Sequence, residues 1–150
     1  MRKEKIEYKT GTATKEAIYA HLVECNDSFV PALSERTDIH AYAKKVATQA
    51  VCFEAWYNDA LIGLIAAYIN DPAGKTSFIT NVSVTKEHRG SGVASVLLEK
   101  LVEYVLEKRF TEIQLEVSKY NHAAAAFYRK YNFAEDKMNG DNLVMKRILV

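Results

Sequence analysis

Val82-Ser83-Val84-Thr85-Lys86-Glu87-His88-Arg89-Gly90-Ser91-Gly92-Val93-Ala94-Ser95 reads as the end of a strand, a short basic loop with two glycines, and the start of a helix without a side-chain cap. A helix that begins on bare backbone N–H groups is an anion site, because the unsatisfied donors and the macrodipole point the same way. Gly90 and Gly92 carry no Cβ, so a bulky anion can approach the backbone closely. Arg89 adds a fork of donors that suits phosphate. The stretch therefore predicts a phosphate-bearing cofactor held at this loop.

Downstream, the helix is predicted from about Gly90 to Arg109. Ala94, Leu97, Leu98, Leu101 and Val105 form its apolar stripe, and Glu99, Glu103 and Glu107 its wet face. Lys108 and Arg109 stand at its C-terminal end, where cations suit the dipole. Glu112 to Val117 alternates like a strand. Asn121 to Tyr131 is an alanine-rich helix, Asn132 is its left-handed C-cap, and Leu143 to Leu149 is a last strand.

Upstream, Thr76 to Val84 is rich in β formers, after a loop from Asn70 to Gly74. Ala50–Tyr57 and Ala60–Ile69 read as a hairpin closed by Asn58-Asp59, two residues that tolerate positive φ. Thr37 or Asp38 caps a helix from Ile39 to about Gln49, and Thr14 caps another that carries Ala17, Ile18, His21, Leu22 and Cys25 at helical spacing. Between them, Phe29 to Arg36 contains Pro31 and reads as irregular. Ile6 to Lys9 is a short first strand. The order β-α-α-β-β-β-α-β-α-β-β predicts a mixed α/β (α+β) fold with helices on the faces of one sheet. No Gly, Pro or Ser linker divides the chain, so residues 1–150 are expected to form a single domain.

The bulk properties exclude several classes. At 150 residues, 49% hydrophobic and 26% charged, the chain has a globular composition and enough length for a core. A net charge of +1 gives no reason to expect nucleic acid or an anionic membrane as partner. The basic start (Arg2, Lys3, Lys5) is too short for an arm and is not followed by a signal-type apolar run, and Ala60 to Ile69 is too short to span a bilayer. Cys25 and Cys52 lack metal-ligand spacing and are expected to be free buried thiols of a cytoplasmic protein. No histidine pair has ligand spacing either, so no metal is expected.

Two commoner phosphate motifs fit badly. A P-loop needs Gly-Lys-Ser/Thr before its helix, and none is present. A Rossmann turn needs G-x-G-x-x-G/A directly after its strand, whereas here Thr85 to Arg89 intervene and the run ends in Ser95. Instead, Arg89-Gly90-Ser91-Gly92-Val93-Ala94 resembles the R/Q-x-x-G-x-G/A signature of the GNAT N-acetyltransferases. The Val-Ser-Val strand end before the loop agrees, as do Leu115-Glu116-Val117, Asn121, Ala124, Tyr128 and Phe133 after it. The resemblance is specific from about Thr76 to Phe133; the first 50 residues resemble the family only in element order.

The resemblance implies a splayed, mostly antiparallel mixed sheet of about six or seven strands with about four helices. It implies acetyl-CoA, as acetyl donor, lying between the fourth and fifth strands. Val82 and Val84 would hydrogen-bond the acetyl carbonyl and pantetheine through their backbones. Arg89, Gly90, Ser91, Gly92, Val93, Ala94 and Ser95 would cradle the pyrophosphate. Asn121 resembles the Asn that contacts the cofactor arm, although a plain helix cap explains it nearly as well. Tyr128 resembles the tyrosine that protonates the departing thiolate, the alternative being a core aromatic.

The base is less specified. The fourth-strand positions that carry Glu or His in many members correspond to Phe78 and Thr80. Glu116 is the better candidate, because its position before Asn121 and Tyr128 resembles the ribosomal-protein alanine acetyltransferase branch. Glu54 or a water chain stays open.

The chemistry implied is direct attack of a primary amine on the thioester, with no nucleophilic Ser or Cys. The acceptor, a small molecule, amino sugar or peptide N-terminus, would sit between Phe29–Tyr42 and Glu135–Asn142. A homodimer stays open. The competing reading is a non-catalytic acetyl-CoA-binding sensor or interaction module.

Overall fold

A computed structural model describes residues 5–149; Arg2 and Lys3 of the basic start lie outside the described residues. One seven-stranded sheet has the order β1-β2-β3-β4-β5-β7-β6, built from β1 (Glu7–Thr10), β2 (Val51–Tyr57), β3 (Ala60–Tyr68), β4 (Thr76–Val84), β5 (Glu112–Ser118), β6 (Ala134–Asn139) and β7 (Asn142–Ile148). Every neighbouring pair is antiparallel except β4–β5. Five α-helices flank it: α1 (Lys15–Cys25), a single turn α2 (Leu33–Arg36), α3 (Ile39–Gln49), α4 (Val93–Glu107) and α5 (His122–Lys130). The mixed α/β architecture and the strand count agree with the sequence reading.

The sheet separates two cores. On one face Ile18, Leu22, Leu33, Ala43 and Val46 of the first three helices pack on Leu61, Leu64 and Ala66. On the other, Leu97, Leu98, Leu101 and Val105 of α4 pack on Ile65, Ile79, Ile113 and Leu115. This division tells which way each strand residue points, because residues paired across strands share a face.

Side-chain caps start three helices: Thr14 Oγ1 accepts from Ala17 N at 3.1 Å, Asp38 Oδ1 from Ala41 N at 3.0 Å, and Asn121 Oδ1 from Ala124 N at 3.2 Å. α4 alone among the long helices begins without one. It is also shorter than predicted. Gly90 and Gly92 adopt φ of 80° and 85°, outside helical space, so the first helical residue is Val93. At the far end Arg109 has a left-handed φ of 65° rather than completing the last turn. There the N–H of Phe110 bonds the Val105 carbonyl and that of Arg109 the Leu106 carbonyl, a Schellman ending. α5 ends the same way at Asn132 (φ 70°), as its sequence suggested, with Phe133 N bonded to Tyr128 O. In both cases a phenylalanine follows the left-handed residue and is buried.

Asn58 and Asp59 form the expected tight turn, with φ of 51° and 60°. One correction concerns Glu135–Asn142, read as an acceptor-side loop. Residues up to Asn139 form β6, and a turn at Gly140 leads into β7. All six β6 side chains are exposed, so no hydrophobic alternation marked the strand.

Candidate active site

β4 and β5 pair over only four residues each, Thr76–Ile79 with Glu112–Leu115. Beyond Ile79 the parallel strands diverge, and a cavity of about 360 Å³ opens between them. On β4 its wall runs from Ile79 to Val84, and on β5 from Leu115 to Ser118. Thr80 to Val84 therefore have no strand partner on this side, so backbone donors and acceptors face the cavity.

A bulge sits at the point of divergence. Ala66 pairs with Asn81 and Ala67 with Ile79, which leaves Thr80 as the extra residue. The bulge changes which side chains reach which face. After it, Val82 and Val84 lie opposite Ile65 and Gly63 on the α4 side, while Asn81 and Ser83 lie opposite Ala66 and Leu64 on the α1–α3 side.

On the α4–α5 face, Tyr128 and Asn121 line the cavity. Tyr128 is held between Phe127 and Phe133, with ring centroids 5.5 and 5.8 Å away. Burial alone pushes its phenol well above the usual tyrosine range, so the group stays a proton donor at neutral pH. Asn121 caps α5 with its side-chain oxygen, as a helix-cap reading expects, and also stands in the cavity wall.

The loop before α4 is self-braced. Arg89 Nε donates to Val84 O at 2.9 Å, which turns the guanidinium along the cavity rim, and the Ser91 hydroxyl donates to His88 O. An atom added at the Cβ position of Gly90 or Gly92 would meet nothing within 4 Å, so the space before the uncapped helix is open. These features fit a pyrophosphate: bare N–H groups, free approach and one adjacent guanidinium. Arg89 is the last residue of this run in the cavity wall. Val93 turns its side chain into the core, and the Ser95 hydroxyl is bonded to that of Tyr131.

On the opposite face the wall includes Phe29, Val30, Arg36 and Glu116. Glu116 is exposed, lies opposite Val144, and accepts from Asn139 Nδ2 at 3.1 Å, a contact the sequence did not suggest. Glu135 and Asp136 pair instead with Arg129 and Lys146, and Asp141 pairs with Lys119; none of the three lines the cavity. Asp38 is occupied as a cap, and His40 packs edge-on against Tyr19 at 5.2 Å. Tyr42 donates to the Thr80 carbonyl at 2.9 Å and so braces the bulge; burial raises its phenol to about 12.

Glu54 is not available to an amine. It is fully buried away from the cavity and accepts from Thr12 N at 2.9 Å, Ala13 N at 3.0 Å, Trp56 Nε1 at 3.0 Å and the Thr12 hydroxyl. It anchors the β1–α1 connection to the sheet.

A buried polar group beside the site has no functional motif to mark it in the sequence. His21, 2% exposed, has Nδ1 3.0 Å from Leu61 O and Nε2 2.8 Å from Ser83 Oγ, and Ser83 Oγ lies 2.7 Å from Asn81 Oδ1. A histidine among apolar residues at helical spacing was the available signal, since a buried imidazole must find partners. Cys25 and Cys52 are free and buried, and burial raises their thiols to about 11 and about 12. Among the described residues no cluster of three or more His, Cys, Asp or Glu could hold a metal, and no helix is long and apolar enough to cross a membrane.

Comparison with known proteins gives the arrangement a place. L-2,4-diaminobutyric acid acetyltransferase of Marinococcus halophilus is 32% identical over 79 residues, covering 53% of this chain and 46% of that protein. N-alpha-acetyltransferase 30 of Schizosaccharomyces pombe is 31% identical over 87 residues, covering 57% and 58%. The chain thus spans about half the length of the curated relatives it matches. Among solved structures, the PaiA N-acetyltransferase of Thermoplasma acidophilum in complex with coenzyme A superposes with a TM-score of 0.75 at 15% identity, over 96% of this chain and 99% of that one. That likeness is one of fold. The Acetyltransferase (GNAT) family pattern matches residues 15–133, from the start of α1 to Phe133, just past α5. With the diverging strands, the uncapped α4 and the buried Tyr128 in place, the chain belongs to the GNAT acetyltransferase family.

Proposed function

We propose that this protein is an N-acetyltransferase that moves an acetyl group from acetyl-CoA directly to a primary amine. The observation that carries this reading is the cavity between β4 and β5, with Arg89 at its rim, Tyr128 on one face and Glu116 on the other. Acetyl-CoA supplies an activated acyl carbon and a thiolate leaving group. Arg89 and the bare N–H groups after Gly92 hold the pyrophosphate, with Gly90, Ser91, Val93, Ala94 and Ser95 shaping the cradle. The backbone of Val82 and Val84 takes the pantetheine arm and orients the thioester, with Asn121 beside it.

The amine enters from the α1–α3 face, past Phe29 and Arg36. Glu116 takes the proton that converts the ammonium to a nucleophile, and its exposure returns that proton to solvent. Attack forms a C–N bond and the nitrogen gives up its second proton; the C–S bond then breaks, and Tyr128 protonates the sulfur and recovers a proton from solvent as the products leave. Similarity to proteins named L-2,4-diaminobutyric acid acetyltransferase and N-alpha-acetyltransferase 30 supports taking small amines and peptide N-termini as candidate acceptors.

The test is thiol release from acetyl-CoA with 2,4-diaminobutyrate, glucosamine and a short peptide bearing a free N-terminus. Tyr128→Phe should lower kcat by about 10²-fold or more, the contribution expected of a placed acid, while CoA binding persists. CoA binding with no thiol release for any amine would instead support a cofactor-binding module.

A further inference from the structure

Attack by a neutral amine leaves a positive charge on its nitrogen. Unless that nitrogen loses a second proton, the better leaving group is the amine itself and the intermediate returns to reactants. Glu116 accounts for the first proton only. A second acceptor is needed on the same face of the sheet.

Asn81 and Ser83 are the β4 side chains on that face after the bulge, and both line the cavity. Behind Ser83 is His21. The Leu61 carbonyl can only accept, so His21 Nδ1 carries a hydrogen, which fixes the tautomer. In the neutral imidazole Nε2 is then a bare lone pair facing Ser83 Oγ at 2.8 Å. Ser83 has one hydroxyl proton and two neighbours, His21 Nε2 and the Asn81 amide.

The row from His21 through Ser83 to Asn81 has two hydrogen-bonded arrangements. With His21 neutral, Ser83 donates to Nε2 and accepts from the Asn81 NH₂. With His21 protonated, Nε2–H donates to Ser83, which donates to Asn81 Oδ1. They differ by one proton on His21 and a half-turn of an amide whose outline is the same either way.

We propose that His21, acting through Ser83, receives the second proton of the acceptor amine. An amine N–H bond breaks as an O–H bond forms on Ser83, directly or through one water; the Ser83 proton passes to His21 Nε2. The imidazolium is held by Leu61 O and Ser83 Oγ. After the amide has formed, the proton returns along the same row to solvent. Burial lowers His21 to about 4, so at physiological pH the ring is neutral and Nε2 carries no hydrogen. Among the described residues no carboxylate bonds the ring, and its further polar contact is the Cys25 thiol at 3.8 Å, on its own helix. His21 is thus a positioning and relay residue, and Ser83 is the group that meets the substrate.

This inference rests on the acetyltransferase reading and is tested beside it. Ser83→Ala keeps the packing of a small side chain and breaks the row, so it does not depend on His21 variants folding. Thiol release is followed with the three amines named above for wild type, Ser83→Ala and Ser83→Thr, alongside CoA titrations and melting curves. The expected result for Ser83→Ala is a kcat lower by about 10²-fold, the scale of a general-base contribution, with KM for acetyl-CoA within about twofold. Ser83→Thr, which keeps a hydroxyl, retains most of the activity, and imidazole buffer partly restores Ser83→Ala but does not accelerate wild type. A purely structural hydroxyl would show no such rescue. An active wild type matched by an equally active Ser83→Ala overturns the relay alone. A wild type that binds CoA yet releases no thiol overturns the acetyltransferase reading as well.

Discussion

Gly63→Ala adds one methyl group to β3, far from any reacting atom, and should damage both stability and cofactor binding. Gly63 lies opposite Val84 and beneath the start of α4. A Cβ there would stand 2.7 Å from Val93 Cγ1, 3.2 Å from Ala55 Cβ and 3.4 Å from Leu97 Cδ1. Ala55 is fixed in β2, and Val93 is β-branched, 2% exposed and the first residue of its helix. The overlap is therefore relieved by moving the beginning of α4. Overpacking of this kind costs about 1–3 kcal/mol. In a chain of this size each kcal/mol lowers Tm by about 2–4 °C. Because the displaced turn also presents the bare N–H groups, CoA should bind more weakly.

Gly92→Ala is the control. Its φ is +85° but nothing lies within 4 Å, so backbone strain of about 1–2 kcal/mol acts without a clash. Melting curves with calorimetric CoA titration read both effects. A Gly63→Ala protein that melts within about 1 °C of wild type and binds CoA equally well would refute the packing account, since even the smallest expected cost exceeds that shift.

Three further outcomes can be checked by melting curves. Glu54→Gln puts an amide NH₂ against either the Thr12 and Ala13 N–H groups or the Trp56 N–H, so a buried donor loses its acceptor; stability should fall by about 1–3 kcal/mol. Tyr68→Phe should be neutral or stabilising, because the Tyr68 hydroxyl is buried without a partner among the described residues and its removal relieves desolvation. His21, lowered to about 4 in the fold against about 6.5 unfolded, binds its proton preferentially in the unfolded chain between those values. Its contribution is complete above pH 6.5 and declines as pH falls toward 4, by about 3 kcal/mol in all. Comparing wild type with His21→Gln across this range should show a shallower acid decline in the variant; equal slopes would remove His21 from the acid response.

The cofactor half was legible because its signals are contiguous. Strand end, glycines, helix stripe and the Asn121–Tyr128 spacing fall within one stretch, and each has a local physical meaning. Helix limits were less so: Gly90 and Arg109 sit in sequence contexts that continue the periodic pattern, and only their left-handed φ values exclude them. β6 had a place in the element order but no limits, because both its faces are wet. The acceptor side was hardest to read. His21 and Ser83 are 62 positions apart, and their contact depends on α1 crossing the sheet where the bulge redirects β4. Glu54 looked free for the same reason, since Thr12 and Ala13 reach it only after β1 has paired with β2.

The stretch of β4 past Ile79 has one more consequence, for solubility. Five residues of strand left unpaired along one side are ordinarily a template on which a second chain can add and aggregate. Here they lie at the middle of the sheet rather than at its rim, with β5 still beside them. A foreign strand would have to enter a cleft already bounded by neighbours, with its side chains projecting into both cores. A slender chain without large side groups meets no such obstacle. The fold thus keeps hydrogen-bonding backbone open to a small extended ligand while closing it to other polypeptides.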